Sequence, residues 1–357
     1  MVQIPEQARQ YYFPKARWSR AIDNLTTRSF TVPKPKANQV LVKIHAASLN
    51  YRDLTIAYGQ YPGGAHDDLV PCSDGSGEVV AVGEDVKKWK AGDRVCANFA
   101  IDHISGETNP EIQQTALGGS IDGTLTEYQV FPDYSLVRIP DYLSYEEAAT
   151  LPCAAVTAWN ALQGPTQVKP GDFVLVQGTG GVSIFALQFA VASGATVIAT
   201  SSSNDKLTEA RKLGAKYLIN YKEQPDWDQE VLKITNGEGV HHVIEVGGPA
   251  TLAKSLNAIR LGGYIHVIGF LAGKETKEDA PLALKVLFKK ANIRGILVGS
   301  RSTFEDMNRA LATHQIKPAV DNVFGFDEAV AAYRRLESQN HIGKVVIRVG
   351  GNTVLNQ

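Results

Sequence analysis

Residues Val176-Gln177-Gly178-Thr179-Gly180-Gly181-Val182-Ser183 decide how this chain is read. They follow Phe173–Gln177, an apolar run of buried-strand type. They open a segment that places Val182, Phe185, Ala186, Phe189 and Ala190 at helical spacing. Strand, glycine turn and helix, in that order, form the context a dinucleotide fingerprint requires. Gly178 permits the tight turn and Gly180 lets backbone approach a pyrophosphate. Ser183 fills the third small position, where glycine is usual. The helix N-terminus adds free N–H groups and a dipole favourable to phosphate. A bare tight turn would also use glycine, but the alternation of strands and helices around it favours nucleotide binding.

Downstream, strand candidates recur at Thr196–Thr200, Tyr217–Asn220, His242–Val246, Tyr264–Ile268 and Ile293–Val298, mostly separated by helical segments. Six strands with crossovers imply a doubly wound parallel sheet in an α/β fold. Upstream, the first 140 residues carry short β-branched runs at Val40–Ile44, Glu78–Val82, Arg94–Cys96, Thr126–Val130 and Ser135–Ile139. Gly, Pro and Asp punctuate them, the pattern of a compact, barrel-like β unit. Residues 98–124 read as a long polar loop of lid or binding type. Ser144-Tyr145-Glu146-Glu147 is a capping box. Its helix is expected to end near Leu162, broken or kinked at Pro152. A last strand, Lys344–Arg348, can return to the β-rich part. The expected domains are 1–154 with 300–357, and 155–299.

The 357 residues suit two domains. Lys and Arg total 36 and Asp and Glu 37, a net charge of -1. That balance removes the electrostatic argument for nucleic-acid or anionic-membrane partners. No apolar run reaches the roughly 18–20 residues of a membrane span. No signal-peptide core stands at the N-terminus, and Val354–Gln357 is neither a peroxisomal address nor a prenylation box. Cys72, Cys96 and Cys153 form no C-x-x-C, which argues against a zinc ribbon, an iron–sulfur site or a disulfide scaffold. A reduced, cytoplasmic protein is expected.

The nucleotide can be argued further. An NAD site usually carries Asp or Glu about 20 residues after the turn. Here the second strand runs into Ala199-Thr200-Ser201-Ser202-Ser203-Asn204-Asp205-Lys206, with Ser201 at the acidic position. A hydroxyl does not repel a 2′-phosphate, and Lys206 can pair with one. Tyr221 and Lys222 fall on the same adenosine side. NADPH is therefore expected over NADH. The serines could also serve simply as helix caps.

Several segments together resemble one family. They are Leu49–Asp53, Asp74–Gly83, Lys90–Val95, Leu151–Trp159, Lys169–Asp172, the glycine turn and Gly343–Val346. The chain is similar to the medium-chain dehydrogenase/reductase superfamily, and within it to the zinc-independent quinone oxidoreductase-like branch. The resemblance implies a GroES-like catalytic domain, a Rossmann domain, a site in the cleft between them, and a homodimer or tetramer. Zinc-dependent members carry Cys, His and Cys at positions that are Asn50, Ser73 and Cys153 here. A catalytic zinc needs about three protein ligands. The four-cysteine structural cluster is also absent. The expectation is a protein with no metal.

By the same resemblance, Asn50, Tyr61 and Thr157 are the candidate catalytic residues. Asn50 could donate to a carbonyl or ribose hydroxyl, Tyr61 could orient or protonate substrate, and Thr157 could back the nicotinamide. Candidate cofactor contacts are Gly178, Thr179, Gly180, Gly181, Val182, Ser201, Ser202, Lys206, Tyr221, Val246, Gly247, Ile268, Gly269, Leu297, Val298 and Lys344. His241 and His242 sit on an expected central strand and read as structural. The expected activity is NADPH-dependent, zinc-independent hydride transfer to small-molecule quinones or α,β-unsaturated carbonyls. Three alternatives stay open: an NAD(P)-dependent alcohol dehydrogenase or carbonyl reductase, a trans-acting enoyl reductase, and a non-catalytic NADPH-binding protein.

Overall fold

The computed structural model describes residues 4–14, 21–271 and 282–350. The chain divides into two compact units, Met1–Val156 with Gly299–Gln357, and Thr157–Val298.

The first unit begins with an antiparallel pair, β1 (Gln7–Tyr12) and β2 (Thr26–Thr31). Then come β3 (Gln39–Leu49), β4 (Asp74–Val82), β5 (Arg94–Ala97), β6 (Tyr128–Pro132) and β7 (Leu136–Arg138). The β3 strand pairs antiparallel with β4 and with β6, and is the spine of the sheet. It can be buried along most of its length because Val40, Leu41, Val42, Ile44, Ala46, Ala47 and Leu49 fill both faces. The 98–124 stretch is more structured than a polar loop. Phe99, Ala100, Ala116, Leu117 and Thr124 are buried, and Asn98 Nδ2 donates to the Ala100 and His103 carbonyls.

The entry to the second unit follows the capping box. Ser144 Oγ accepts from the Glu147 N–H at 3.1 Å, and Glu147 Oε2 accepts from the Ser144 N–H at 2.8 Å. Pro152 lies in a wide π-helical turn, Leu151–Ala155, before the helix Val156–Leu162. The missing N–H of proline makes that widening the low-cost path.

The second unit is a six-stranded parallel sheet of β8 (Phe173–Gln177), β9 (Thr196–Ser201), β10 (Tyr217–Asn220), β11 (Val240–Glu245), β12 (Ile259–Val267) and β13 (Asn292–Gly295). Their order is β10-β9-β8-β11-β12-β13. The order reverses between β8 and β11, where open α/β sheets place ligands beyond the carboxyl ends. The strand expected over Ile293–Val298 is shorter: it ends at Gly295, opposite Val267 where β12 itself stops, and Val298 beyond it takes a left-handed φ of 56° that extended backbone does not allow.

After Val298 the chain completes the first unit. The strands β14 (Val320–Gly325) and β15 (Lys344–Arg348) pair in parallel, and β15 pairs antiparallel with β3. The last strand thus sets Val345 opposite Leu49 and brings Lys344 beside Asn50.

Candidate functional site

In the second unit the glycine turn is built as its residues demand. Gly178 has φ 72°, which only glycine adopts without strain, and no atom lies within 4 Å of a Cβ built on Gly178 or Gly180. Backbone can therefore approach a ligand at both positions. Thr179 is buried, and Gly181 and Val182 begin the helix Gly181–Ala192. Ser183 Oγ donates to the Gln177 carbonyl at 2.6 Å, so the third fingerprint position stitches helix to strand.

The other expected contacts gather off the same strand ends. Ser201 closes β9 and is buried, Ser202 is half-buried beside it, and the Ser201 carbonyl accepts from the Tyr221 N–H at 3.0 Å. The next helix is capped by Ser203, whose Oγ faces the Lys206 N–H, so Ser201 and Ser202 are not used as its cap. Val246 and Gly247 follow β11, Ile268 and Gly269 follow β12, and Leu297 and Val298 lie just past β13.

A buried carboxylate ties these ends together. Glu245 is fully buried and accepts from Gln177 Nε2 at 2.8 Å, the Gly247 and Gly248 N–H groups at 2.9 and 2.8 Å, Thr251 Oγ1 at 2.6 Å, and Ser255 Oγ. Gln177 Oε1 accepts in turn from the Val246 and Gly247 N–H groups at 3.3 Å. The residue before the glycine turn and the loop after β11 are thus one hydrogen-bonded assembly. Sequence reasoning missed Gln177 and Glu245. The readable signal was an acidic residue ending an otherwise apolar strand directly before Val246-Gly247-Gly248.

Thr157 is buried on the helix Val156–Leu162. One turn on, Asn160 Nδ2 donates to the Val298 carbonyl at 2.6 Å. His241 and His242 are structural here. His241 Nδ1 accepts from the Phe173 N–H, and His242 stacks on His266 with its Nδ1 3.2 Å from His266 Nε2. Burial lowers His242 to about 4 and His266 to about 3, so both rings are neutral at physiological pH.

In the first unit, Asn50 precedes the helix Tyr51–Ala57 and its N–H donates to Asp53 Oδ2 at 2.7 Å. Lys344, buried, donates to the Leu49 carbonyl at 2.6 Å and to Asn50 Oδ1 at 2.5 Å, and lies 3.6 Å from the fully buried Asp74. Its ammonium, assigned by resemblance to phosphate or ribose, is held inside its own unit. Asn50 Nδ2 is buried with no acceptor among the described residues. Burial pushes Asp53 up to about 6, against the opposing pull of Arg52. The ring of Tyr61 is half-buried, with the Arg52 guanidinium 5.0 Å from its centroid. Arg52 also donates to the Leu117 carbonyl at 2.8 Å, which fixes the cation beneath the tyrosine.

At the three positions matched to a catalytic zinc, Asn50 Oδ1 accepts from the Lys344 ammonium, Ser73 Oγ donates to Asp74 Oδ1 at 2.8 Å, and burial raises the Cys153 thiol. Among the described residues no three His, Cys, Asp or Glu side chains group as metal ligands. No helix among them is long and apolar enough to cross a membrane.

Comparison with known proteins agrees with this architecture. Residues 36–141 match the alcohol dehydrogenase GroES-like domain and residues 181–313 the zinc-binding dehydrogenase family. A zinc-type alcohol dehydrogenase-like protein of Schizosaccharomyces pombe is 50% identical over 331 residues, 92% of this chain and 96% of that protein. The solved structure of an NAD-dependent alcohol dehydrogenase is 32% identical with TM-score 0.85, covering 96% of this chain and 100% of the other. A 2-octenoyl-CoA carboxylase reductase in complex with NADP and 2-octenoyl-CoA is 25% identical with TM-score 0.85, covering 99% and 91%. With a family model matched in each of its two units and a relative 50% identical over nearly its whole length, the chain belongs to the medium-chain dehydrogenase/reductase superfamily as a zinc-type alcohol dehydrogenase-like oxidoreductase.

Proposed function

We propose that this protein is an NADPH-dependent reductase of quinones or α,β-unsaturated carbonyl compounds that works without a catalytic zinc. The observation that carries the reading is the Lys344–Asn50 hydrogen bond, which turns a metal-ligand position into a fixed amide donor. Lys344 has only protons to offer, so Asn50 presents Oδ1 to it and Nδ2 away from it. Nδ2 is then the group that meets the acceptor's carbonyl oxygen as negative charge develops there. Conjugated acceptors suit a site without a Lewis acid, because delocalisation spreads that charge. The Tyr61 hydroxyl would supply a proton to the resulting anion, its ring steadied on Arg52.

The second unit would hold the cofactor. Gly178–Val182 would receive the pyrophosphate, Ser201, Ser202, Lys206 and Tyr221 the adenosine 2′-phosphate side, and Val246, Gly247, Ile268, Gly269, Leu297 and Val298 the remainder. Bound there, the dinucleotide supplies the hydride. Support for NADP comes from the absent carboxylate at Ser201 and from the similar NADP-bound reductase; the similar NAD-dependent dehydrogenase supports the alternative.

Alcohol dehydrogenase or carbonyl reductase activity is the second reading, favoured by the 50% identical relative's name. One experiment separates the two. Purified protein is assayed for metal content and for oxidation of NADPH and NADH with quinones, enones, aldehydes and ketones. Turnover confined to conjugated acceptors without stoichiometric zinc supports the proposal; stoichiometric zinc with turnover of saturated alcohols overturns it.

We propose too that the chain forms a homodimer through the edge strand β13. Ile293 on that strand is 41% exposed, and Leu287 and Phe288 just before it are 65% and 75% exposed.

A further inference from the structure

Val298 is an unusual residue for its backbone. A β-branched side chain at φ 56° is strained, and nothing in Val298 itself favours that conformation. The neighbouring contacts hold it. Asn160 Nδ2 donates to the Val298 carbonyl at 2.6 Å. Arg294 locks Asn160 in turn, with Nη1 on the Asn160 carbonyl and Nη2 on Asn160 Oδ1, both at 2.8 Å. Since Arg294 can only donate, it fixes which end of the Asn160 amide faces Val298. Gly164 leaves the space for this seat, because a Cβ there would lie 2.3 Å from Arg294 Nη1.

The latch has a directional consequence. The Val298 carbonyl is turned inward onto Asn160, while its own N–H is buried and has no acceptor among the described residues. Buried N–H groups are rarely left unpaired, and a strained, unpaired one marks a position kept for a ligand. The same latch bolts down the helix that carries Thr157, three residues before Asn160.

We infer that Asn160 and Arg294 are positioning residues for the nicotinamide end of the cofactor: they hold Val298 left-handed so that its N–H is presented to the carboxamide oxygen. The inference rests on the proposed dinucleotide site and adds to it a division of labour. The glycine turn and Ser201 region serve the phosphate and adenosine half, and the Arg294–Asn160–Val298 chain serves the nicotinamide half alone.

The test is calorimetric titration with NADPH, NADH and 2′,5′-ADP, which lacks the nicotinamide. Asn160→Asp keeps an acceptor for Arg294 but removes the donor to Val298. It is expected to weaken NADPH binding at least tenfold and to leave 2′,5′-ADP within twofold. Arg294→Met should do the same. Val298→Gly, which needs no latch to reach a positive φ, should restore part of the NADPH affinity when combined with Asn160→Asp. Unchanged NADPH affinity in Asn160→Asp, or equal losses for both ligands, overturns the inference. If the unaltered protein binds none of the three ligands, the dinucleotide site itself is refuted and the inference falls with it.

Discussion

The ammonium of Lys344 and the side-chain oxygen of Asn50, 294 residues apart, meet in a hydrogen bond of 2.5 Å inside the first unit. The same ammonium sits 3.6 Å from Asp74, and both side chains are withdrawn from solvent. Removing one partner of such a pair leaves an uncompensated buried charge, at about 3–5 kcal/mol. Lys344→Met is expected to lower thermal stability by that order and to abolish turnover, since the Asn50 amide loses its fixed orientation. Lys344→Arg should not rescue it, because a planar fork cannot replace a point donor in this space. Thermal melts and steady-state kinetics check both expectations.

The carboxyl of Asp53 makes stability depend on pH. Burial raises its folded value to about 6 from the ordinary carboxyl value of 3.8, so between those limits the folded state binds more protons than the unfolded chain. Its contribution is unfavourable above pH 6 and vanishes below pH 4, so stability falls as pH rises through that window. Asp53→Asn keeps an acceptor for the Asn50 N–H. It should be more stable than the natural protein at pH 7.5, by up to about 3 kcal/mol, and equal to it near pH 4. Denaturant titrations across that range measure the difference; a pH-independent offset would contradict it.

Glu245 gathers five donors from the strand end and the loop beyond it. Glu245→Ala leaves them buried without an acceptor, each at a cost of about 1–3 kcal/mol. The second unit is expected to lose at least about 3 kcal/mol, and NADPH affinity should drop with it because the Gly247 and Gly248 N–H groups lose their anchor. Parallel melts and NADPH fluorescence titrations would show both losses together.

Ser201→Asp places a carboxylate at the end of β9, where a 2′-phosphate would lie. It should weaken NADPH binding by roughly tenfold or more through like-charge repulsion, and NADH binding much less. Equal effects on the two cofactors would remove Ser201 from the 2′-phosphate assignment.

Tyr61→Phe keeps the ring on Arg52 and deletes the hydroxyl. Turnover is expected to fall about a hundredfold with cofactor affinity unchanged, the size typical of a lost general acid. Unchanged turnover would assign the proton to another donor.

What the sequence determined by itself is what local chemistry fixes. The glycine turn and the six strands were legible because glycine, apolar runs and crossover spacing act over a few residues. The capping box at Ser144 was legible because its partners stand three residues apart. Only the tertiary structure decided the rest. Lys344 faces Asn50 because β15 returns to pair with β3, a register no local pattern encodes. Glu245 became the anchor of two loops because β8 and β11 are neighbours in the sheet though 62 residues separate Gln177 from Val240 in the chain. The strand expected to run to Val298 stopped at Gly295 because its neighbour β12 ends opposite it at Val267, and the Val298 carbonyl turns instead to Asn160, a residue of a distant helix. Local preference sets the elements; long-range hydrogen bonds, made between residues that meet only after folding, set the side chains that do chemistry.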